Sequence, residues 1–192
     1  HTGLGEYTSV FDGIYETPLG QIKPCESIIE EITRGYLVKK DSLAHIKEHS
    51  IEVQLPFIQF TNKNNFCIVP IVVGIADWNI LADFGHLLAN TLKSKDALII
   101  VSSDFNHYED QKTTIYKDNL AIEKILSLSE NEFANTIEKY DISMCGANIA
   151  YAALVASKEL GAKNAKLIDH KTSFDVNGQM DQTVGYASIL IQ

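Results

Sequence analysis

Residues 97–107 read Ala97-Leu98-Ile99-Ile100-Val101-Ser102-Ser103-Asp104-Phe105-Asn106-His107, an unbroken apolar run followed at once by mostly small and polar side chains. Apolar runs rich in β-branched residues are how strands covered on both faces read, and Phe66 to Val73 repeats the pattern. A parallel sheet is the expectation. In such sheets ligands sit beyond the carboxyl ends of the strands, where side chains from neighbouring loops converge. Asp104 and His107, a carboxylate and an imidazole three residues apart at a strand end, are therefore the first candidates for chemistry. The competing reading is structural, since an Asp after a strand commonly caps a helix or forms a turn.

Outward from this stretch, strands and helices alternate. Ser9 to Tyr15 reads as a strand running into a turn at Thr17-Pro18-Leu19-Gly20. Pro24 opens a helical pattern with Ile28, Ile29 and Ile32 on one face and Gly35 as its stop. From Asp77 to Leu92 the residues Ile80, Leu81, Phe84, Leu87, Leu88 and Leu92 fall on one stripe, with His86 off it and facing solvent. Thr113 to Leu128 is helical, and Ser129 with Glu132 three residues on signs a capping box for a helix through Tyr140. An Ala-rich helix from Gly146 to Leu160 ends at Gly161, and Lys166 to His170 and Val184 to Ile191 supply the last strands. Without repeat or linker, the expectation is an α/β fold: one domain over 1–192, a three-layer α/β/α sandwich around a largely parallel or mixed sheet.

Composition narrows the functional classes. The chain has 192 residues, 45% of them hydrophobic, enough for one sizeable core. A net charge of −9 with scattered Lys and Arg argues against nucleic acid or an anionic membrane surface as partner. No apolar stretch approaches the length of a membrane span. Cys25, Cys67 and Cys145 are odd in number and widely separated, which fits a reducing compartment, and hence the cytoplasm, better than a disulfide framework. The chain opens at His1-Thr2-Gly3-Leu4-Gly5 with neither initiator Met nor targeting segment, as expected of a sequence that begins inside a longer polypeptide.

Two further polar positions stand out. Glu48-His49-Ser50-Ile51-Glu52 leads into a helical pattern that restarts at Pro56, with Glu48 and Glu52 on one face and His49 elsewhere; a solvated acidic face is the plain alternative. Cys145 directly precedes Gly146 and a helix start, where the positive end of the helix dipole favours a thiolate able to bind a metal or attack an electrophile. A buried structural thiol is the alternative there.

In this order, His1-Thr2-Gly3, Glu48-His49-Ser50-Ile51-Glu52 with Leu55-Pro56-Phe57, Ser102-Ser103-Asp104-Phe105 with His107, Cys145-Gly146 and Val184-Gly185-Tyr186-Ala187 resemble the Memo-like proteins, the B component of the AmmeMemoRadiSam system. That family is similar in fold to the class III extradiol (LigB-like) dioxygenases, which carry non-haem iron. The resemblance implies that His1 is the second of two cleft histidines, that Asp104, His107 and Cys145 line the same cleft, and that Glu48 and His49 lie near it. The family's first histidine, in a Pro-His-Ala-Gly segment, has no counterpart here, so the expectation is a Memo-like domain lacking its opening strand-helix unit.

The implied ligands are two imidazoles and a thiolate, a set suited to iron, copper or zinc with positions left open for substrate or oxygen. His1 and Cys145 are the metal ligands on this reading. Asp104 and His107 are the catalytic pair, with His107 as general acid or base and Asp104 fixing its tautomer. Cys145 in place of a carboxylate ligand changes metal preference and redox potential. Two functions follow: metal-dependent redox or oxygen chemistry on a small molecule, or a non-enzymatic binding protein whose inherited cleft holds a peptide or partner protein. Resemblance also implies a companion radical-SAM protein. With one histidine absent, the cleft is expected to hold solvent and no metal.

Overall fold

In a computed structural model, which describes residues 8–62, 64–74 and 76–192, the chain falls into two compact units that meet in sequence between Asp96 and Ala97. The first contains β1 (Thr8–Val10), β2 (Tyr15–Thr17), β3 (Gly20–Ile22), α1 (Glu26–Ile32), β4 (Val38–Lys40), α2 (Leu55–Thr61), β5 (Ile71–Val73) and α3 (Trp78–Leu92). The second contains β6 (His107–Glu109), α4 (Gln111–Leu126), α5 (Glu130–Lys139), α6 (Ala147–Glu159), β7 (Ala165–Thr172), α7 (Phe174–Asn177) and β8 (Thr183–Ile191). This is an α/β fold. Among the described residues no helix is long and apolar enough to cross a membrane.

In the first unit β1 is central, parallel to β4 (Thr8 opposite Val38) and antiparallel to β5 (Thr8 opposite Val73). The turn read at Thr17-Pro18-Leu19-Gly20 closes the β2–β3 hairpin, with Gly20 at a φ of 116° that side chains disfavour. Of the apolar face read in α1, Ile29 and Ile32 are fully buried, and the Thr33 hydroxyl donates to the Ile29 carbonyl where the helix ends. Asp77 caps α3 by accepting the Asn79 N–H, which leaves Leu81, Phe84 and Leu88 on the buried side and His86 exposed. A Lys95–Glu31 ion pair at 2.9 Å ties the end of α3 to α1.

Cys25 and Cys67 form a disulfide, with Cα atoms 5.0 Å apart. This overturns the reading of both as reduced thiols, and with it the argument that cysteine number indicates a reducing compartment. Tertiary pairing brings them together: the Cys25 N–H donates to the Ile68 carbonyl at 2.8 Å and the Ile68 N–H to the Lys23 carbonyl at 3.1 Å. Those bonds dock the N-terminus of α1 on the segment leading to β5, and no local sequence signal marks that contact.

In the second unit the sheet order is β6-β8-β7, and both ladders are antiparallel. Of the expectation of a largely parallel or mixed sheet, the parallel part is corrected: β1 with β4 is the one parallel ladder among the described residues, so the first unit's sheet is mixed and the second unit's is antiparallel. The strand expected at Ala97 to Val101 is also absent. Leu98, Ile100 and Val101 are 79%, 47% and 37% exposed, and no described strand pairs with them. An apolar run supplies propensity for a strand, but a ladder partner is what makes one.

The helices follow the sequence more closely. Asp110 caps α4, accepting the N–H groups of Lys112 and Thr113. Ser129 occupies the N-cap of α5 without a side-chain cap bond, and Glu132 turns instead toward Lys124, 3.4 Å away. The Ala-rich α6 buries Ala150, Ala152, Ala153, Leu154 and Ala156 and ends before Gly161 at a φ of 100°.

The disulfide closes a loop with a sequence separation of 42 residues. Loop-closure entropy puts its contribution at about 3–4 kcal/mol. Denaturation followed through the single tryptophan, Trp78 in α3, should therefore show a less stable first unit after reduction or in a Cys25→Ser/Cys67→Ser double variant. Unchanged midpoints would exclude the cross-link.

Candidate metal centre

Two loops of the second unit meet around Asp104, His107 and Cys145. Between them, Ser103 Oγ accepts the Gly146 N–H at 2.8 Å and donates to the Asp104 carbonyl at 2.7 Å. A Cβ at Gly146 would overlap the Ser103 side chain, so only glycine lets the loops approach this closely. Cys145 stands just ahead of Gly146, the N-cap of α6, with its Sγ 3.7 Å from Ser103 Oγ and 3.7 Å from the Asp104 carbonyl oxygen. The thiol is exposed and outside the disulfide.

His107 is held from two sides by Ser143. Its backbone N–H donates to Ser143 Oγ at 2.8 Å, and its Nδ1 lies 2.7 Å from the Ser143 carbonyl oxygen. A carbonyl can only accept, so Nδ1 carries a proton and Nε2 is the ring nitrogen left facing Asp104. Nε2 lies 3.5 Å from Asp104 Oδ2. The ligand atoms of Asp104, His107 and Cys145 all lie within 4.8 Å of one another. Tetrahedral metal–ligand bonds of about 2.0–2.3 Å put ligand atoms roughly 3.3–3.8 Å apart, so the three side chains must close toward one another to hold a single ion. The thiolate disfavours magnesium and calcium, whereas imidazole, carboxylate and sulfur together suit iron, copper or zinc.

Tyr108, next in the chain, has a φ of 59° where the β6–β8 register slips, and its ring lies 5.5 Å from that of His107. Tyr186 on β8 has its phenol pushed up by burial, with the charge of Asp104 adding to the shift. Beneath the cluster lies Asp118, whose side chain is fully buried. Burial pushes its carboxyl up, against the hydrogen bonds from His170 and Asn106.

Of the residues singled out from sequence, Asp104, His107 and Cys145 therefore meet, whereas His1 lies outside the described residues. Glu48 and His49 belong to the first unit. Glu48 is buried, and its Oε1 accepts the N–H groups of His49 and Ser50 at 2.9 and 2.8 Å, shaping the turn ahead of α2. His49 is exposed and pairs through Nδ1 with Glu52 at 2.7 Å, which pulls its imidazole above the ordinary value. Asp118 and His170 carried no sequence signal that placed them near the cluster, whereas Ser103, Asn106 and Ser143 stand within two residues of its members but had no role assigned from sequence.

The fold and the cluster define an α/β protein with a mixed imidazole, carboxylate and thiolate ligand set. The comparisons make this more specific. The family model described as Memo-like protein matches residues 1–190. A MEMO1 family protein of Methanocaldococcus jannaschii is 42% identical over 100% of this chain and 69% of its own length. One from Pyrobaculum arsenaticum is 42% identical over 99% and 69%, and one from Aquifex aeolicus 37% over 99% and 72%. The chain belongs to the Memo-like family.

In the same segment as Glu48, His45 is buried against Phe11, with its Nε2 3.3 Å from the Ser9 carbonyl and no partner for Nδ1 among the described residues. Burial lowers its imidazole below the ordinary value, against the Ser9 bond and the Glu48 and Asp41 charges. The unfolded chain takes up this proton near pH 6.5, and the folded chain only at lower pH. The contribution is thus whole above about pH 6.5 and lost as pH falls through the folded value. The drop in Tm between about pH 7 and about pH 5 should be shallower in His45→Phe than in the parent protein. Parallel curves would rule out the buried imidazole as a source of acid sensitivity.

Proposed function

We propose that this Memo-like protein binds one first-row transition metal ion, iron, copper or zinc, and uses it for redox or oxygen chemistry on a small molecule. The observation that supports this reading is the convergence of one sulfur, one imidazole nitrogen and one carboxylate oxygen within 4.8 Å. Such an ion supplies Lewis acidity and, when redox-active, electrons for oxygen chemistry. The chain's own residues set the conditions for it. Cys145 offers a thiolate at a helix start, and Ser143 holds His107 in the tautomer whose Nε2 can bind a metal or take a proton. Asp104 has two roles open to it: a third ligand, or the group that orients the His107 ring. His1, which the family resemblance assigns as a cleft histidine, is the further ligand proposed. A radical-SAM protein is the companion proposed on the same resemblance.

The test is metal content and spectroscopy of the complete chain prepared without air. About one equivalent of metal is expected, as for a single three- or four-ligand site. With Co2+ as probe, a sulfur-to-metal charge-transfer band should appear and should vanish in Cys145→Ala, while His107→Ala should weaken binding. Metal retained at full affinity in Cys145→Ala would sink the ligand assignment. Failure of the wild-type chain to bind any of these ions would favour the non-enzymatic reading, in which the cleft holds a peptide or a partner protein.

A further inference from the structure

We infer that Asp118 is the positioning residue of the Asp104, His107 and Cys145 cluster: from within α4 it anchors the turn that presents His107. This rests on the metal-site reading for its consequence, though not for its geometry. The carboxylate uses its two oxygens on two different elements. Oδ1 accepts the Asn106 N–H at 2.9 Å, and Oδ2 accepts from His170 Nε2 on β7 at 2.8 Å.

Asn106 carries the anchor onward. It is fully buried, and its Oδ1 accepts both the backbone N–H and the hydroxyl of Ser143 at 3.2 Å. Ser143 is the residue that holds His107 through both ring and backbone. An unbroken series of hydrogen bonds thus runs from His170 through Asp118, Asn106 and Ser143 to the ring nitrogen that selects the His107 tautomer. The β8 strand closes the arrangement from the other side. Gly185 donates to the Asn106 carbonyl at 3.0 Å and accepts from the Phe105 N–H at 2.9 Å. A Cβ at Gly185 would overlap the Asp118 carboxylate, so the backbone there is bare where the anchor passes.

A fully buried carboxylate is costly unless its hydrogen bonds are complete. Here both oxygens serve the same turn and sheet that carry the cluster, through hydrogen bonds to Asn106 and His170. Partners that orient metal-binding residues in this way typically change affinity by roughly tenfold to a hundredfold when removed.

The experiment uses the complete chain and two readouts, Co2+ affinity and charge-transfer absorption in one, and amide hydrogen exchange at Asn106 and His107 without metal in the other. Asp118→Ala should raise the Co2+ Kd by roughly tenfold or more and speed exchange at both amides. Asp118→Asn, whose amide oxygen still accepts from Asn106, should keep affinity within about threefold and restore slow exchange. A folded Asp118→Ala protein with wild-type affinity and exchange would overturn the proposal. If that variant does not fold, His170→Ala removes only the partner of Oδ2, whose side chain is 14% exposed; it should shift both readouts in the same direction, and wild-type values there would also overturn it. Should the parent chain bind no Co2+, the metal reading falls alone, and the exchange pattern still decides whether Asp118 holds the turn.

Discussion

The second unit depends on satisfying one carboxylate that has no access to water. Asp118 lies in α4, a helix whose first turn is capped by Asp110 and whose buried face also carries Ala121, Ile122 and Ile125. With apolar residues on that face, the charge needs donors, and the donors come from the Asn106 backbone and the His170 ring. Satisfying it ties a helix, an edge strand and the loop ahead of β6 to one another. The site loop is therefore held by a polar anchor as well as by the buried Phe105, which suits a segment whose outer side must stay open to a ligand.

Close backbone approach is the second constraint, and two glycines meet it. Gly146 lets the Cys145 loop settle on Ser103, and Gly185 lets β8 pass against Asp118. Each brings a polar group of one segment within bonding distance of another, and each would be blocked by a single methyl group. The strained φ of Tyr108 belongs to the same region, where the β6–β8 register shifts and the His107 and Tyr108 rings lie 5.5 Å apart. Backbone departures of this kind persist where the surroundings over-determine them.

The first unit is held differently. Its short strands bury Val10, Val38 and Val72, α1 packs against α3, and the Cys25–Cys67 disulfide fastens the start of α1 to the approach to β5. Glu48, which the family resemblance places near a cleft, spends its Oε1 on two backbone N–H groups. Those two bonds offset part of the cost of burying the carboxylate.

The sequence by itself determined the helices, the β2–β3 turn and the identity of the cluster residues, because periodicity, caps and turn chemistry act over a few neighbours. Asp77 announces α3, Gly161 closes α6, and a carboxylate, an imidazole and a thiol stand next to element ends where they can converge. Tertiary structure decided the strand pairing: Ala97 to Val101 has a strand's composition but no ladder partner among the described residues, and β8 pairs antiparallel with both neighbours. It also decided the Cys25–Cys67 bond, the His107 tautomer and the burial of Asp118. Those depend on contacts between residues some 36 to 52 positions apart, and separations of that size leave no imprint on local propensity because no short window of the chain contains both partners.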